Sequence, residues 1–490
     1  MNTRNIISGC PCHPISRRRF LGAGCAACVG AAELLAHPGA LLAAQSDTPV
    51  RIHIIYSLHK PKQDRPDWPN TGFDFRPVMK RINAELDERC PGFTFVSSLA
   101  NGPEQAKKIL DEDKSGDIDG YLVYQMNCWN RVVQTMATSG RPVLYADFQY
   151  GGSGGFLVYT AGFLRNQAPN VGFVASSRIE DLAEAVKCFK LVAKGGSVSE
   201  FVAATARVRM AGTPGVGNLT CKADTVKTLS PKECVARMKE CKILAVRDQN
   251  SGPAEPIMGI PMERVSFAEV NDAWKAADKD ESRAMARRWR KNATAVIDVS
   301  RKTLETSAAM YLGMKAVLKK HGANAITINC LGGFYGGHIH AYPCLGFHEL
   351  NNEGLVGACE CDVRSTATMT AITALTQGRP GYISDPVIDT SKRQIIYAHC
   401  VASNKVFGPD GPTNPYEILT HSEDRQGASM RSIMPLDYMT TTLEMEHTKK
   451  QVLFHQGKAV ANDRDDRACR TKLAVEPVGD IEKLFTMWDQ

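Results

Sequence analysis

From Val50 onward the chain alternates between short apolar runs and amphipathic segments, and that alternation restricts the fold more than any other feature. Val50 to Tyr56 reads as a strand, Phe75 to Leu86 as a helix, Phe93 to Leu99 as a strand and Pro103 to Glu112 as a helix. Ile118 to Tyr124, Asn130 to Thr138 and Pro142 to Phe148 continue as strand, helix and strand. Such turn-taking predicts an α/β fold with a parallel, doubly wound, Rossmann-like sheet, whose ligands bind at strand C-terminal ends. The loop Tyr150-Gly151-Gly152-Ser153-Gly154-Gly155-Phe156 follows one of these strands. Its glycines would let a ligand approach the backbone, which keeps Tyr150 as a substrate-contacting candidate. It carries no GxGxxG fingerprint, so a plain turn is the favoured reading.

A second unit is expected near Asn170. Val171 to Ser176 reads as a strand and Ile179 to Lys194 as a helix with Leu182, Val186 and Phe189 inward; Phe201 to Arg209 and Lys242 to Arg247 read as further strands. Val265 to Lys320 is expected to be helical, anchored by Trp274, Trp289 and Leu312. Ala325 to Cys330 reads as a buried strand leading into a glycine-rich turn with His338 and His340, which could be ligands if the segment is extended. The expected division is a signal peptide at 1–45, α/β domains at 46–170 and 171–343, and a C-terminal mixed or antiparallel β domain at 344–490 that carries a metal site.

At 490 residues the chain is long enough for several cores, and its 43 % apolar and 23 % charged content is that of a globular protein. The net charge of +7 is modest, and no dense basic run follows the N-terminal one, so nucleic acid is not an expected partner. No apolar run in the mature chain reaches spanning length, so no stable membrane anchor is expected. Ser16-Arg17-Arg18-Arg19-Phe20-Leu21 followed by a weakly apolar stretch is a twin-arginine signature. It predicts export of an already folded protein, with the mature chain starting near Gln45 in a periplasmic or extracellular setting. Four of the sixteen cysteines lie in that leader, and the rest are scattered without paired CxxC knuckles, so no structural zinc site is expected. In an oxidising compartment some could pair, but spacing does not say which.

The chemistry concentrates between Cys359 and Cys400. Glu360 precedes a helical pattern (Val363, Ala367, Ala371, Ala374, Leu375) that Gly378 and Pro380 stop, which places its carboxylate near the positive end of a helix dipole. Beyond it, Tyr382 to Val387 and Ile395 to Val401 read as the two strands of a hairpin. If the loop spans Thr390 to Gln394, Asp385 faces His399 with Cβ atoms about 5 Å apart, close enough to share one cation. Two carboxylates and an imidazole suit Mn²⁺ or Mg²⁺ better than structural zinc. Such a centre polarises a carbonyl or binds vicinal hydroxyls while a carboxylate moves a proton. Cys359 and Cys361 flank Glu360 as soft ligands or, the favoured reading, as buried packing. Further on, His421 and Glu423 belong either to a substrate-contacting lid or to a solvated turn.

Leu355-Val356-Gly357-Ala358-Cys359-Glu360-Cys361-Asp362, Tyr382-Ile383-Ser384-Asp385 and Ala398-His399-Cys400 resemble the metal-binding segments of the fucose isomerase and arabinose isomerase superfamily. The stretch Ala398 to Leu436 is similar to a less characterised bacterial branch of it. The resemblance implies an aldose–ketose isomerase acting on a small-molecule sugar. Glu360, Asp385 and His399 would hold Mn²⁺ (or Mg²⁺), with Glu360 and Asp385 relaying a proton between C1 and C2 through an enediol. It also implies a homo-oligomer, a trimer or hexamer. Classical members carry another metal-binding histidine near the C-terminus that has no counterpart here; His421, His447 and His455 are the substitutes to consider. An exported carbohydrate-binding protein on the same scaffold, without turnover, is the alternative.

Overall fold

The computed structural model describes residues 48–488; the twin-arginine segment lies outside them. The first sheet is built from β1 (Val50–Ser57), β2 (Phe93–Ala100), β3 (Gly120–Gln125), β4 (Val143–Asp147) and β5 (Val171–Val174), all parallel, in the order β2-β1-β3-β4-β5. Successive side chains of a strand face opposite ways. Accordingly Ile54, Leu122 and Leu144 enter one core, under helices 76–89, 179–187 and 198–212. Ile55, Val123 and Tyr145 enter another, under helices 103–112, 132–137 and 153–165. Burial on both faces explains why β1 reads as a nearly unbroken apolar run.

The second sheet contains β6 (Ile243–Val246), β7 (Gly252–Ile257), β8 (Ile260–Arg264), β10 (Ala325–Ile328) and β11 (Val356–Cys359), in the order β11-β10-β6-β8-β7. All its pairs are parallel except β7 with β8. An antiparallel sheet follows, in the order β12-β13-β18-β17-β16, from β12 (Asp385–Asp389), β13 (Gln394–His399), β16 (Met439–Glu446), β17 (Gln451–Asn462) and β18 (Thr471–Pro477). A small sheet joins β9 (Ala295–Ile297), β14 (Tyr416–Leu419) and β15 (Ser429–Ser432). The α/β class with an antiparallel C-terminal sheet is therefore as the sequence predicts. The boundaries expected at 170/171 and 343/344 each fall between strands that pair with each other, β4 with β5 and β10 with β11. Among the described residues no helix is long and apolar enough to cross a membrane.

Phe201 to Arg209, expected as a strand, belongs to the helix Val198–Gly212. Ser197 and Glu200 form a reciprocal capping box at its start, and Phe201, Ala204, Thr205 and Arg209 share one buried face at helical spacing. The hairpin register also differs from expectation by one residue: Asp385 pairs with Ala398, not His399. The turn is Thr390 to Arg393, with Arg393 left-handed at φ 52°. Tertiary contacts hold that turn. Thr390 N–H and Oγ1–H both donate to the Ala175 carbonyl (2.8 and 2.9 Å), and the Asp389 carboxylate accepts from the Ser177 hydroxyl at 2.7 Å.

Candidate metal centre

Glu360 stands where β11 ends. Glu360 and Cys361 both take positive φ (66° and 53°), a costly conformation for side-chain-bearing residues, and this double turn swings the chain from the strand into the helix Val363–Leu375. Asp362 caps that helix by accepting from the Ser365 N–H at 2.9 Å. Asp385 opens β12 and His399 closes β13, so both stand at the same end of the hairpin. In a strict pleat the observed register would send their side chains to opposite faces. At the strand ends the ladder stops constraining direction, and ligand atoms of Glu360, Asp385 and His399 come within 4.8 Å of one another. Glu360 Oε1 is 4.0 Å from His399 Nε2. Among the described residues this is the one group of three or more His, Cys, Asp or Glu side chains that converge in this way.

His399 is held on several sides. Its N–H donates to Tyr382 Oη (2.9 Å), and Tyr382 in turn donates to the Thr471 carbonyl (2.9 Å). Replacing Tyr382 by Phe leaves that N–H unpaired, with an expected cost of about 1–2 kcal/mol in chemical denaturation. The Cys400 N–H donates to His399 Nδ1 at 3.0 Å. That bond puts the neutral ring's proton on Nε2, so ligation through Nε2 requires the other tautomer.

The electrostatics suit a cation. Glu360 keeps 43 % of its side-chain surface open, yet protein surrounds it on most sides, the situation of a group on the floor of a cleft. Burial first, and then the Asp385 charge, push its carboxyl up to about 7, against the pull of His399. Burial, then Asp362, push Asp385 up to about 7 as well. Asp362 therefore acts on both groups as well as capping a helix. Asp362→Asn keeps the cap and removes the charge, so the acid limit of cation binding is expected to move to lower pH; Asp362→Ala should instead cost about 1 kcal/mol of stability.

Of the substrate-contacting candidates, His421 and Glu423 are buried and electrostatically linked to Glu360. Burial opposes the charge on His421, but Asp424, Cys400 and Glu423 outweigh it and raise the ring to about 9. Glu423 is driven up to about 8 by burial, with Asp67 and Glu360 adding to the rise. It accepts from Tyr335 Oη at 3.0 Å, and its backbone carbonyl accepts from Thr71 N–H at 2.7 Å. This loop is thus a buried wall, not a solvated turn. Tyr150 is instead committed to Asp463, to which it donates at 2.6 Å. His338 and His340 lie exposed against Phe267 and Trp274, and Cys359 and Cys361 are buried. His455 bonds Tyr397, and His447 is exposed near the β16–β17 turn.

Sequence reasoning passed over Asp362, Tyr335, Asp67 and Tyr382. An Asp three residues before Ser365 at a helix start is a legible cap signal. Asp67 and Tyr335 are far from Glu423 along the chain, and no spacing announces them. A cleft of about 430 Å³ is lined by Tyr382, Ile383 and Ser384 but by none of the three converging residues, so ligand convergence and not cavity size locates the centre.

No family model matches the chain. A stretch of 101 residues is 26 % identical to a sulfoquinovose isomerase of Alkalicoccus urumqiensis, covering 20 % of this chain and 23 % of that protein. A stretch of 90 residues is 29 % identical to sulfoquinovose isomerases of Priestia aryabhattai and Priestia megaterium, covering 17 % of this chain and 20 % of each of theirs. The chain thus matches about a fifth of the length of these curated relatives. Among solved structures, the transcription regulator CcpA of Lactococcus lactis aligns over 57 % of this chain and 78 % of its own at 12 % identity, with a TM-score of 0.17.

Proposed function

We propose that this protein is a metal-dependent sugar isomerase that interconverts an aldose and a ketose. The observation that carries the reading is the convergence of Glu360, Asp385 and His399 within 4.8 Å at the ends of strands from two different sheets. The partial similarity to sulfoquinovose isomerases, themselves sugar isomerases by name, supports the same class. The donor set fits a hard divalent cation. Two carboxyls raised to about 7, by burial first and by neighbouring carboxylates second, lack a countercharge that Mn²⁺ or Mg²⁺ would provide. When bound, such an ion supplies Lewis-acid polarisation of a carbonyl and a fixed point for two neighbouring sugar oxygens.

The remaining roles fall to side chains. Glu360 and Asp385 sit close enough for one to take a proton from the carbon beside the carbonyl while the other returns it to the neighbouring carbon. His421, charged below about 9, would donate to a sugar hydroxyl, and Glu423, protonated below about 8, would donate as well. Tyr335 holds the Glu423 carboxyl in place.

Metal analysis of the purified protein, joined to an NMR screen of aldoses and ketoses in D₂O, tests the proposal. The expected result is a bound divalent ion and conversion of at least one aldose, with solvent deuterium entering at C1 or C2. Sugar binding that survives metal stripping, with no conversion of any sugar, would instead favour a carbohydrate-binding protein without turnover.

A further inference from the structure

All twelve cysteines among the described residues are unpaired. Two of them meet beside the centre. Cys400 follows His399 directly at the end of β13, and Cys469 lies two residues before Thr471, the cross-strand partner of His399. Both sulfurs reach the same hydroxyl: Ser422 Oγ is 3.9 Å from Cys400 Sγ and 3.7 Å from Cys469 Sγ. Carried one step beyond His399 and Thr471, the register sets Cys400 and Cys469 one residue off directly opposite. The ladder has ended there, and the two thiols lie within hydrogen-bond reach of each other. Both thiols are buried, Cys400 at 1 % and Cys469 at 4 % exposure, and Cys469 adjoins the partly exposed loop 463–467.

We propose that Cys400 and Cys469 are a disulfide-forming pair whose closure fixes His399, so that thiol oxidation tunes the candidate metal centre. The link to the centre rests on the metal-site reading above; the pairing itself does not. The Cys400 N–H bonds the His399 ring, so tethering the Cys400 side chain to β18 restrains the ring as well. The oxidant is a small disulfide such as oxidised glutathione. One of the two cysteines, as its thiolate, attacks one of the oxidant's sulfurs and expels a glutathione thiolate. The other then attacks the protein sulfur of the mixed disulfide, the Sγ–Sγ bond forms, and the second glutathione leaves. Two electrons pass to the oxidant, and the two thiol protons end on the two glutathiones.

The test compares the full chain reduced and after exposure to oxidised glutathione, with denaturation, alkylation and peptide mapping by mass spectrometry. The expected result is a Cys400–Cys469 crosslink and a melting temperature higher by about 5 °C, because the bridge closes a long loop. Mn²⁺ affinity by titration calorimetry should fall about tenfold, because the bridge holds the Cys400 N–H on His399 Nδ1 and so keeps the ring proton on Nε2, the atom that faces Glu360. Cys469→Ser should show neither change, and the wild-type comparison stands without that variant. Full alkylation of both thiols after oxidation, or crosslinks to other cysteines, overturns the pair. A correct crosslink with equal Mn²⁺ affinity in both forms overturns its role at His399. If neither form binds Mn²⁺, the metal-site reading fails, and the crosslink map and melting temperature still decide the pairing.

Discussion

Glu360→Gln is expected to lower kcat/KM on a convertible sugar by about 10³-fold or more, because it removes both a cation ligand and one half of the proton relay. Mn²⁺ affinity should fall by at least about 100-fold in the same variant. The metal-free fold should survive, with a melting temperature within about 2 °C of wild type. Glu360 keeps 43 % of its side chain open, and its carboxyl is pushed up by burial and by Asp385, so its charge does not hold the apoprotein together. Gln occupies the same left-handed position at no added backbone cost. Isomerisation assays, Mn²⁺ titration and thermal melts on one preparation separate these effects. Unchanged turnover would remove Glu360 from the mechanism, whereas lost turnover with a collapsed melt would assign it a structural role.

The second large effect is pH dependence. In the folded metal-free chain Glu360 and Asp385 hold their protons up to about pH 7, whereas unfolded carboxyls ionise near pH 4. Between those limits the folded state binds more protons than the unfolded one. Their contribution to apoprotein stability is therefore fully present at low pH and is lost as pH rises through about 7. A bound cation displaces the same protons. Mn²⁺ affinity should consequently climb about 100-fold between pH 6 and pH 8, with more than one proton released per ion near pH 6. The melting-temperature gain from added Mn²⁺ should be larger at pH 8 than at pH 6. Calorimetry in buffers of different ionisation enthalpy counts the protons directly. An affinity that is flat across this range would mean that the two carboxyls are not ligands.

Much of the architecture was legible because it is written between near neighbours. The two-sided burial of β1 follows from an apolar run, the helix Val363–Leu375 from its spacing and its Asp362 cap, and the hairpin from two extended runs around polar residues. Where the reading of the chain and the molecule differ, a local signal was overlooked or a distant contact decided. The capping box of Ser197 and Glu200 marks Phe201 to Arg209 as helix, and that signal was there to be read. The one-residue register difference was not. It depends on Arg393 taking a left-handed turn while Thr390 and Asp389 dock onto Ala175 and Ser177, residues two hundred positions away in round terms.

The candidate site divides in the same manner. By itself the sequence determined which residue types were present, that Glu360 precedes a helix and that Asp385 and His399 belong to the two strands of a hairpin, because strand, turn and cap preferences act over a few residues. The structure puts Asp385 and His399 at the strand ends. Only the tertiary structure decided that those ends converge, that Tyr382 latches His399, and that Tyr335 and Asp67 crowd Glu423. The shifts of Glu360 and Asp385 to about 7 belong to that second class. Helix-dipole reasoning along the chain expected a readily ionised Glu360. Desolvation and a second carboxylate from another sheet outweigh the dipole, and neither exists until the sheets have packed.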